Sequence, residues 1–373
     1  MKKLLLSAIT IATVLFTSCK SDNIVEDQNS NFVLDATDFK GTITEGTVTL
    51  DPALTYKLTG GITVNEGATL TIPAGTKIEA IGTATSCFVL VSRGATINVN
   101  GTAAKPVVMT ASIKQSGSWG GLVICGDAVT NVGTDVISEV GGLQYGGANN
   151  ADSSGSIKYL RVEYTGSKFT SKKEYNGISL FGVGSGTTFE YVSSVNGGDD
   201  VIEFYGGAVN ANHLVSINSE DDSVDFADGF TGSLDYVYIK GITKAGFEGS
   251  NNGEDGARTP LTTCTVSNVS IVADGLGSAE GAIYYKEGGG DITYSNVYVD
   301  GISYAVKVKS GDEPAKARII AGGLVIDNIQ FANITDAIEY NEGADANATV
   351  GTNSGAGNGS DLPTWASGWA VAE

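Results

Sequence analysis

Cysteine, histidine, proline and basic residues are all scarce in this chain, and each scarcity closes off a class of protein. Of 373 residues, four are cysteine, six are proline and one is histidine. Cys87, Cys125 and Cys264 are widely and irregularly spaced, which suits neither a disulfide framework nor a zinc site. They stand in apolar, β-rich contexts such as CFVLV and LVICG and read as buried small hydrophobes. The one histidine, His213, sits on an alternating strand and reads as structural. No G-x-S-x-G, Walker or H-E-x-x-H motif occurs, so serine-hydrolase, nucleotide-dependent and zinc chemistry lack their residues. Lys and Arg number 22 against 42 Asp and Glu, a formal charge of −20. Nucleic acid, which requires a basic stripe, is not an expected partner. Divalent cations, basic groups and neutral polymers such as glycans stay open. No long 3.6-residue period is visible, and outside the first 18 residues no run is apolar enough to cross a membrane.

Those first residues carry an address. Lys2-Lys3 form a basic start, Leu4–Phe16 is an apolar run too short to span a bilayer, and Thr17-Ser18 precede Cys19. The pattern resembles a bacterial lipoprotein signal over 1–18, cleaved so that Cys19 carries the lipid; an ordinary secretory signal is the alternative. Acyl chains on Cys19 would hold the protein to a membrane surface, at about 0.8 kcal/mol per buried CH₂. The polar, acidic stretch KSDNIVEDQNSN that follows is expected to be a tether, which we place at 19–41. It also looks like a surface-export signal, with a plain spacer as the alternative.

Glycine is abundant instead, 51 residues, roughly double the usual share. With no G-x-y period, that means many tight turns. From Thr42 on, short alternating runs are separated by Gly, Asn and Pro: Gly61-Ile62-Thr63-Val64, Thr69-Leu70-Thr71-Ile72, Thr76-Lys77-Ile78. Past Ser156 two strand series interleave. One passes through Tyr159, Tyr191, His213, Tyr236, Asn268, Asn296 and Asn328, the other through Leu180, Phe204, Phe226, Phe247, Ile283 and Val306. Such a repeat is the mark of a solenoid whose coils stack. The expected fold is all-β, a single-stranded right-handed parallel β-helix over 42–350 with loop insertions, closed by a C-terminal cap over 351–373. Trp119, among glycines, reads as a packed corner. Residues 133–152 read as a protruding loop, and 165–176, 250–262 and 309–318 as further loops that hold much of the Lys and Arg.

The sharpest chemistry lies in Asn196–Phe230. Asp199-Asp200-Val201-Ile202-Glu203-Phe204 is followed 22 residues later by Asp221-Asp222-Ser223-Val224-Asp225-Phe226. Adjacent strands lie about 4.8 Å apart, so Asp199 is expected over Asp221, Asp200 over Asp222 and Glu203 over Asp225, with Asp228 close by. Such a stack cannot be fully ionised without compensation. Bound cation is one resolution, and Ca²⁺ suits a loose set of oxygen ligands: Asp199, Asp200, Asp221, Asp222, Asp225 and Asp228 are the candidate ligands, backed by Glu203, Glu220 and Glu248. The spacing matches neither an EF-hand nor a nonapeptide calcium repeat. The alternatives are a solvated acidic face and catalytic carboxylates, with Lys244 or Arg258 as a possible base.

GSWGGLVICGDA, SGSIKYLRVEYTG, GISLFGVGSGTTFEYVSSVNGGDDVIEFYGG, NSEDDSVDFADGF and the closing PTWASGW, with the lipid cysteine, resemble a large group of uncharacterised Bacteroidetes surface lipoproteins. The resemblance implies a right-handed parallel β-helix and an outer-membrane, surface-exposed location. It implies no activity. The leading expectation is therefore a non-enzymatic cell-envelope lipoprotein that binds a glycan or other surface component along the solenoid, with a structural cation. The alternatives are a polysaccharide lyase or glycoside hydrolase using the acidic ladder, and an adhesive stalk. Tyr145, Tyr205, Tyr284 and Tyr285 along one groove would favour sugar binding over the stalk.

Overall fold

A short strand with one apolar face is marginal until a neighbour covers its edges, and here the neighbour is the next coil. The computed structural model describes residues 30–170, 173–275, 278–334 and 336–371; Cys19, the leader, Lys172 and the first part of the expected tether lie outside them. The chain forms a parallel β-helix. Its 24-stranded sheet is parallel throughout, and one short antiparallel hairpin, Val136–Ile137 with Gln144–Tyr145, stands apart from it.

The strands stack in three columns. Gly155–Glu163 spans two of them, its first half paired with Thr96–Asn100 and its second with Val107–Ala111. Thr188–Val195, Ala211–Ile217, Ser233–Lys240, Thr263–Val272, Asp291–Asp300 and Leu324–Ala332 repeat that bent course, each paired with the one before. The third column runs from Val89–Val91 through Leu122–Cys125, Ile178–Phe181, Ile202–Tyr205, Val224–Ala227, Ala245–Gly249 and Gly281–Tyr285 to Tyr304–Val308. Inside the coils, matched apolar residues form ladders such as Val192, Leu214, Val237, Val269, Val297 and Ile329, each almost fully buried.

The bend in every long strand is a left-handed residue. Tyr159, Tyr191, His213, Tyr236, Asn268, Asn296 and Asn328 all have φ between 50° and 63°. Asparagine tolerates this region, whereas tyrosine and histidine do so at a cost. Stacking offsets the cost. Ring centroids are 4.3 Å apart from Tyr159 to Tyr191, 4.3 Å from Tyr191 to His213 and 4.9 Å from His213 to Tyr236. The column then continues as asparagines whose side chains bond one another, at 3.1 Å from Asn296 to Asn268 and 2.9 Å from Asn328 to Asn296.

Several expectations need correction. Strands begin at Phe39, inside the segment expected to be tether. Phe39 is fully buried and meets Phe32 and Tyr56 edge-on, so the chain joins the core before residue 42. Residues 133–152 do not protrude. Their hairpin folds down onto the third column, where Tyr145 and Val140 cover Leu90, Val123, Phe181 and Tyr205. The insert at 309–318 holds a helix, Glu313–Ile320, started by Asp312 accepting from the Ala315 N–H and by a proline in the first turn.

The C-terminal tail does not sit over the last coil. It runs back along the flank as a strap: Asn353 Nδ2 donates to Asn328 O, Ser270 Oγ accepts from Ala356 N, Tyr238 Oη donates to Ser360 O, and Arg161 donates to the carbonyls of Trp369 and Val371. Trp369, fully buried, meets Tyr159 and Tyr191, and Trp365 meets His213 edge-on at 4.7 Å. The strap thus follows the stacked rings, which its two tryptophans cover. The last coils are packed instead by helix Glu313–Ile320 and segment Asn341–Asn347, through Ala315, Ile319 and Ala344.

Candidate functional site

Strand alternation places every second residue of the third column outside the barrel. One outward ladder reads Ser179, Glu203, Asp225, Glu248, Tyr284, Lys307 in register. The turns that lead into these strands add Asp199 and Asp200, Asp221 and Asp222, and Lys244. Each paired turn is tied to the next by a carboxylate: Asp200 Oδ1 accepts from Asp222 N at 3.0 Å, and Asp222 Oδ1 from Ala245 N at 2.7 Å.

Three other segments wall the ladder into an open cleft of about 500 Å³. Glu139 comes from the folded-down hairpin and accepts from Tyr205 Oη at 2.8 Å. Lys173, Glu174 and Asn176 come from the loop at 165–176, which closes tightly because Gly166, at φ +88°, would set a Cβ 2.6 Å from the amides of Gly198 and Asp199. Glu280, Lys286 and Lys309 complete the far end. The cleft thus gathers ten carboxylates and four lysines, so its lysines alone cannot neutralise it.

Burial and mutual repulsion set the electrostatics. Asp199 is pushed up to about 7 by burial and by Asp221. Burial, then Glu248, raises Asp222 to about 9. Asp200, Glu203 and Asp225 rise well above the ordinary carboxylate range, first by burial and then through one another, Glu139 and Glu248. Lys286 is raised: burial would lower it, but Asp225 and Glu248 outweigh that. Lys244 is likewise raised by Asp221 against its burial. Carboxyls that keep protons near neutral pH can act as acids, while ammoniums held in ion pairs are poor bases.

Three groups of carboxylates bring ligand oxygens within 4.8 Å of one another: Asp199, Asp200 and Asp221; Asp200, Glu203 and Asp225; Asp222, Glu248 and Glu280. Lys244 pairs with Asp221, and Lys286 with Glu248. Asp225 Oδ1, buried, has no hydrogen-bond partner.

Of the residues singled out from sequence, Asp199, Asp200, Glu203, Asp221, Asp222, Asp225, Glu248 and Lys244 meet in this cleft. Asp228 does not: it turns to the neighbouring corner, where Tyr145 Oη donates to it at 3.4 Å. Glu220 faces another groove and accepts from Ser116. Arg258 pairs with Glu254 away from the acids. Tyr205 and Tyr284 line the cleft, whereas Tyr145 is buried beneath the hairpin and Tyr285 lies in the core. Sequence reasoning missed Glu139, Glu174, Asn176, Glu280, Lys286 and Lys309. The strand series already runs through Ile283, and Lys286 follows that strand directly; nothing local marks Glu139.

Trp119 is buried, with Nε1 donating to Glu163 O at 2.8 Å, and Cys87, Cys125 and Cys264 are buried free thiols. His213 stands within the ring stack, outside the cleft.

A family model described as a pectate-lyase-like beta helix domain matches residues 41–370. No curated protein and no solved structure matches the chain.

Proposed function

The chain belongs to the pectate-lyase-like beta helix domain family, and from that premise we propose that it is a cell-envelope glycan-binding protein, held to the outer membrane through a lipid on Cys19 and exposed at the surface. The cleft carries the reading. It is open, polar, runs lengthwise over successive coils, and offers the ring of Tyr284 and the hydroxyl of the otherwise buried Tyr205 beside hydrogen-bonding and charged groups. That mixture of one ring surface with many polar groups suits a sugar chain. A stalk would have no use for an uncovered depression with unrelieved charge. The lipoprotein assignment draws its support from Lys2-Lys3, Leu4–Phe16 and Cys19.

A second reading is favoured by one observation. Lys244 and Lys286 project among the acids, within ion-pair distance of Asp221 and Glu248, where a lyase would keep its base. Both are held charged, so binding ranks above cleavage.

The test is a glycan panel incubated with the full chain and with Tyr284→Ala. Binding that the variant loses supports the first reading. New unsaturated or reducing ends on a bound glycan would move the assignment to an enzyme, and no binding to any glycan would leave the stalk. Cys19→Ala should abolish labelling by a radioactive fatty acid; labelling that persists removes the anchor.

A further inference from the structure

The ten carboxylates of the cleft are not equally compensated, and the inequality locates a metal site. Lys244 sits on Asp221 and so serves the group Asp199, Asp200, Asp221; Lys286 sits on Glu248 and serves Asp222, Glu248, Glu280. The central group, Asp200, Glu203 and Asp225, is the one whose three residues are all buried; Lys286 is drawn toward Asp225 as well, but among the described residues no lysine makes an ion pair with Glu203 or Asp225. Asp225, only 5 % exposed, holds a carboxylate oxygen that accepts no hydrogen bond. A carboxylate at that depth with an unbonded oxygen and only a shared lysine is costly. The orientation of the group is also prepared. Asp222 N donates to Asp200 Oδ1, and Asn176 Nδ2 to Glu203 Oε2 at 2.6 Å. These donors fix the orientation of two carboxylates, as outer partners do around metals.

We infer that Asp200, Glu203 and Asp225 bind a single hard divalent cation, of the Ca²⁺ class, that joins two adjacent coils of the solenoid. The donors are oxygen only, which excludes a preference for soft metals. They sit on strands and turns of different coils rather than in one compact loop, which suits the loose coordination of Ca²⁺ better than the strict octahedron of Mg²⁺. Asp200 and Glu203 lie in one coil and Asp225 in the next, so the ion acts on the fold itself, whether or not a glycan is present. Lys244 and Lys286 are tethered counter-ions for the two flanking groups. They explain why one site forms in a cleft with acids enough for three.

The experiment uses the full chain, stripped with chelator, then titrated with CaCl₂ by calorimetry and followed by thermal unfolding, with Asp225→Asn, Glu203→Gln and Asp222→Asn beside it. One Ca²⁺ per chain and a raised midpoint are expected in the parent. Asp225→Asn and Glu203→Gln should weaken binding at least about tenfold and lose the shift, while Asp222→Asn keeps both. These variants remove repulsion, so their folding is not at risk, and equilibrium dialysis with ⁴⁵Ca reads binding without reference to stability. No heat and no retained ⁴⁵Ca overturn the site. So does a shift reproduced by NaCl at equal ionic strength, a stoichiometry of two or more, or loss of binding in Asp222→Asn with retention in Asp225→Asn.

Discussion

Two flanks of this solenoid are built by the same device and end in opposite conditions. On one, register stacks Tyr159, Tyr191, His213 and Tyr236 into a column of rings; on the other it stacks Glu203, Asp225 and Glu248 into a column of carboxylates. A β-helix multiplies whatever residue it repeats. Rings gain contact from each added coil, and the chain covers them with its own tail through Trp365 and Trp369. Carboxylates gain repulsion, and that flank is left open. The tail-covered flank is where stability is gathered, and the open flank is where a ligand can do something that the protein does not do for itself.

The comparison can be broken most severely from the covered side. Trp369→Ala removes a fully buried indole that touches two rings of the column, and a loss of about 3–5 kcal/mol is expected, read as a drop in denaturant midpoint together with early proteolysis of residues 351–371. An unchanged midpoint would mean that the strap is not coupled to the coils.

On the open side the sign reverses. In chelator, Asp225→Asn should stabilise the protein, by roughly 1–3 kcal/mol, because it replaces a buried, unpartnered carboxylate with a neutral group; a destabilised variant would show that the repulsion is already relieved.

The same tension sets a pH dependence. Asp199 and Asp222 have folded values raised to about 7 and about 9 from 3.8, so the folded state binds more protons than the unfolded one between about pH 4 and 9. Their contribution is present at the acid end and is lost as pH rises through that window. Thermal midpoints of the chelated protein should fall from pH 5 to pH 9, and Ca²⁺ should flatten the fall.

The covered flank has a smaller, opposite response. Burial lowers His213 from 6.5, against the pull of Asp235 and Glu190, so its contribution is present above that value and lost on acidification. His213→Phe should remove a modest acid-side loss, under about 1 kcal/mol, visible in midpoints between pH 5 and 7. An identical acid limb in the variant would assign that loss elsewhere.

How much of this was legible in the sequence differs from residue to residue. The pairing of Glu203 with Asp225 follows from a repeat of 22 residues, because each coil pairs only with the next and the period is the register. The helix Glu313–Ile320 lies where the sequence reads as a loop, because eight residues are too few for a helical period to stand out. Asp228 reads as part of the ladder by its proximity in sequence, yet it lies beyond the strand end, where the chain turns left-handed and carries it to another corner. Glu139 reaches the cleft from a hairpin outside the repeat, so no offset could have pointed to it.

By itself, then, the sequence determined the solenoid, the columns and the line of acids, since these depend on contacts between neighbouring coils and on strand alternation. Only the tertiary structure decided that a hairpin folds down to wall the cleft, that two lysines pair with Asp221 and Glu248 among its acids, and that the tail turns back along the flank instead of closing the last coil. Those outcomes rest on contacts between segments on different coils, the hairpin and the strap reaching farthest, as with Tyr205 and Glu139 or Arg161 and Trp369. Such contacts are chosen by the shape and charge of surfaces that exist only after the coils have stacked.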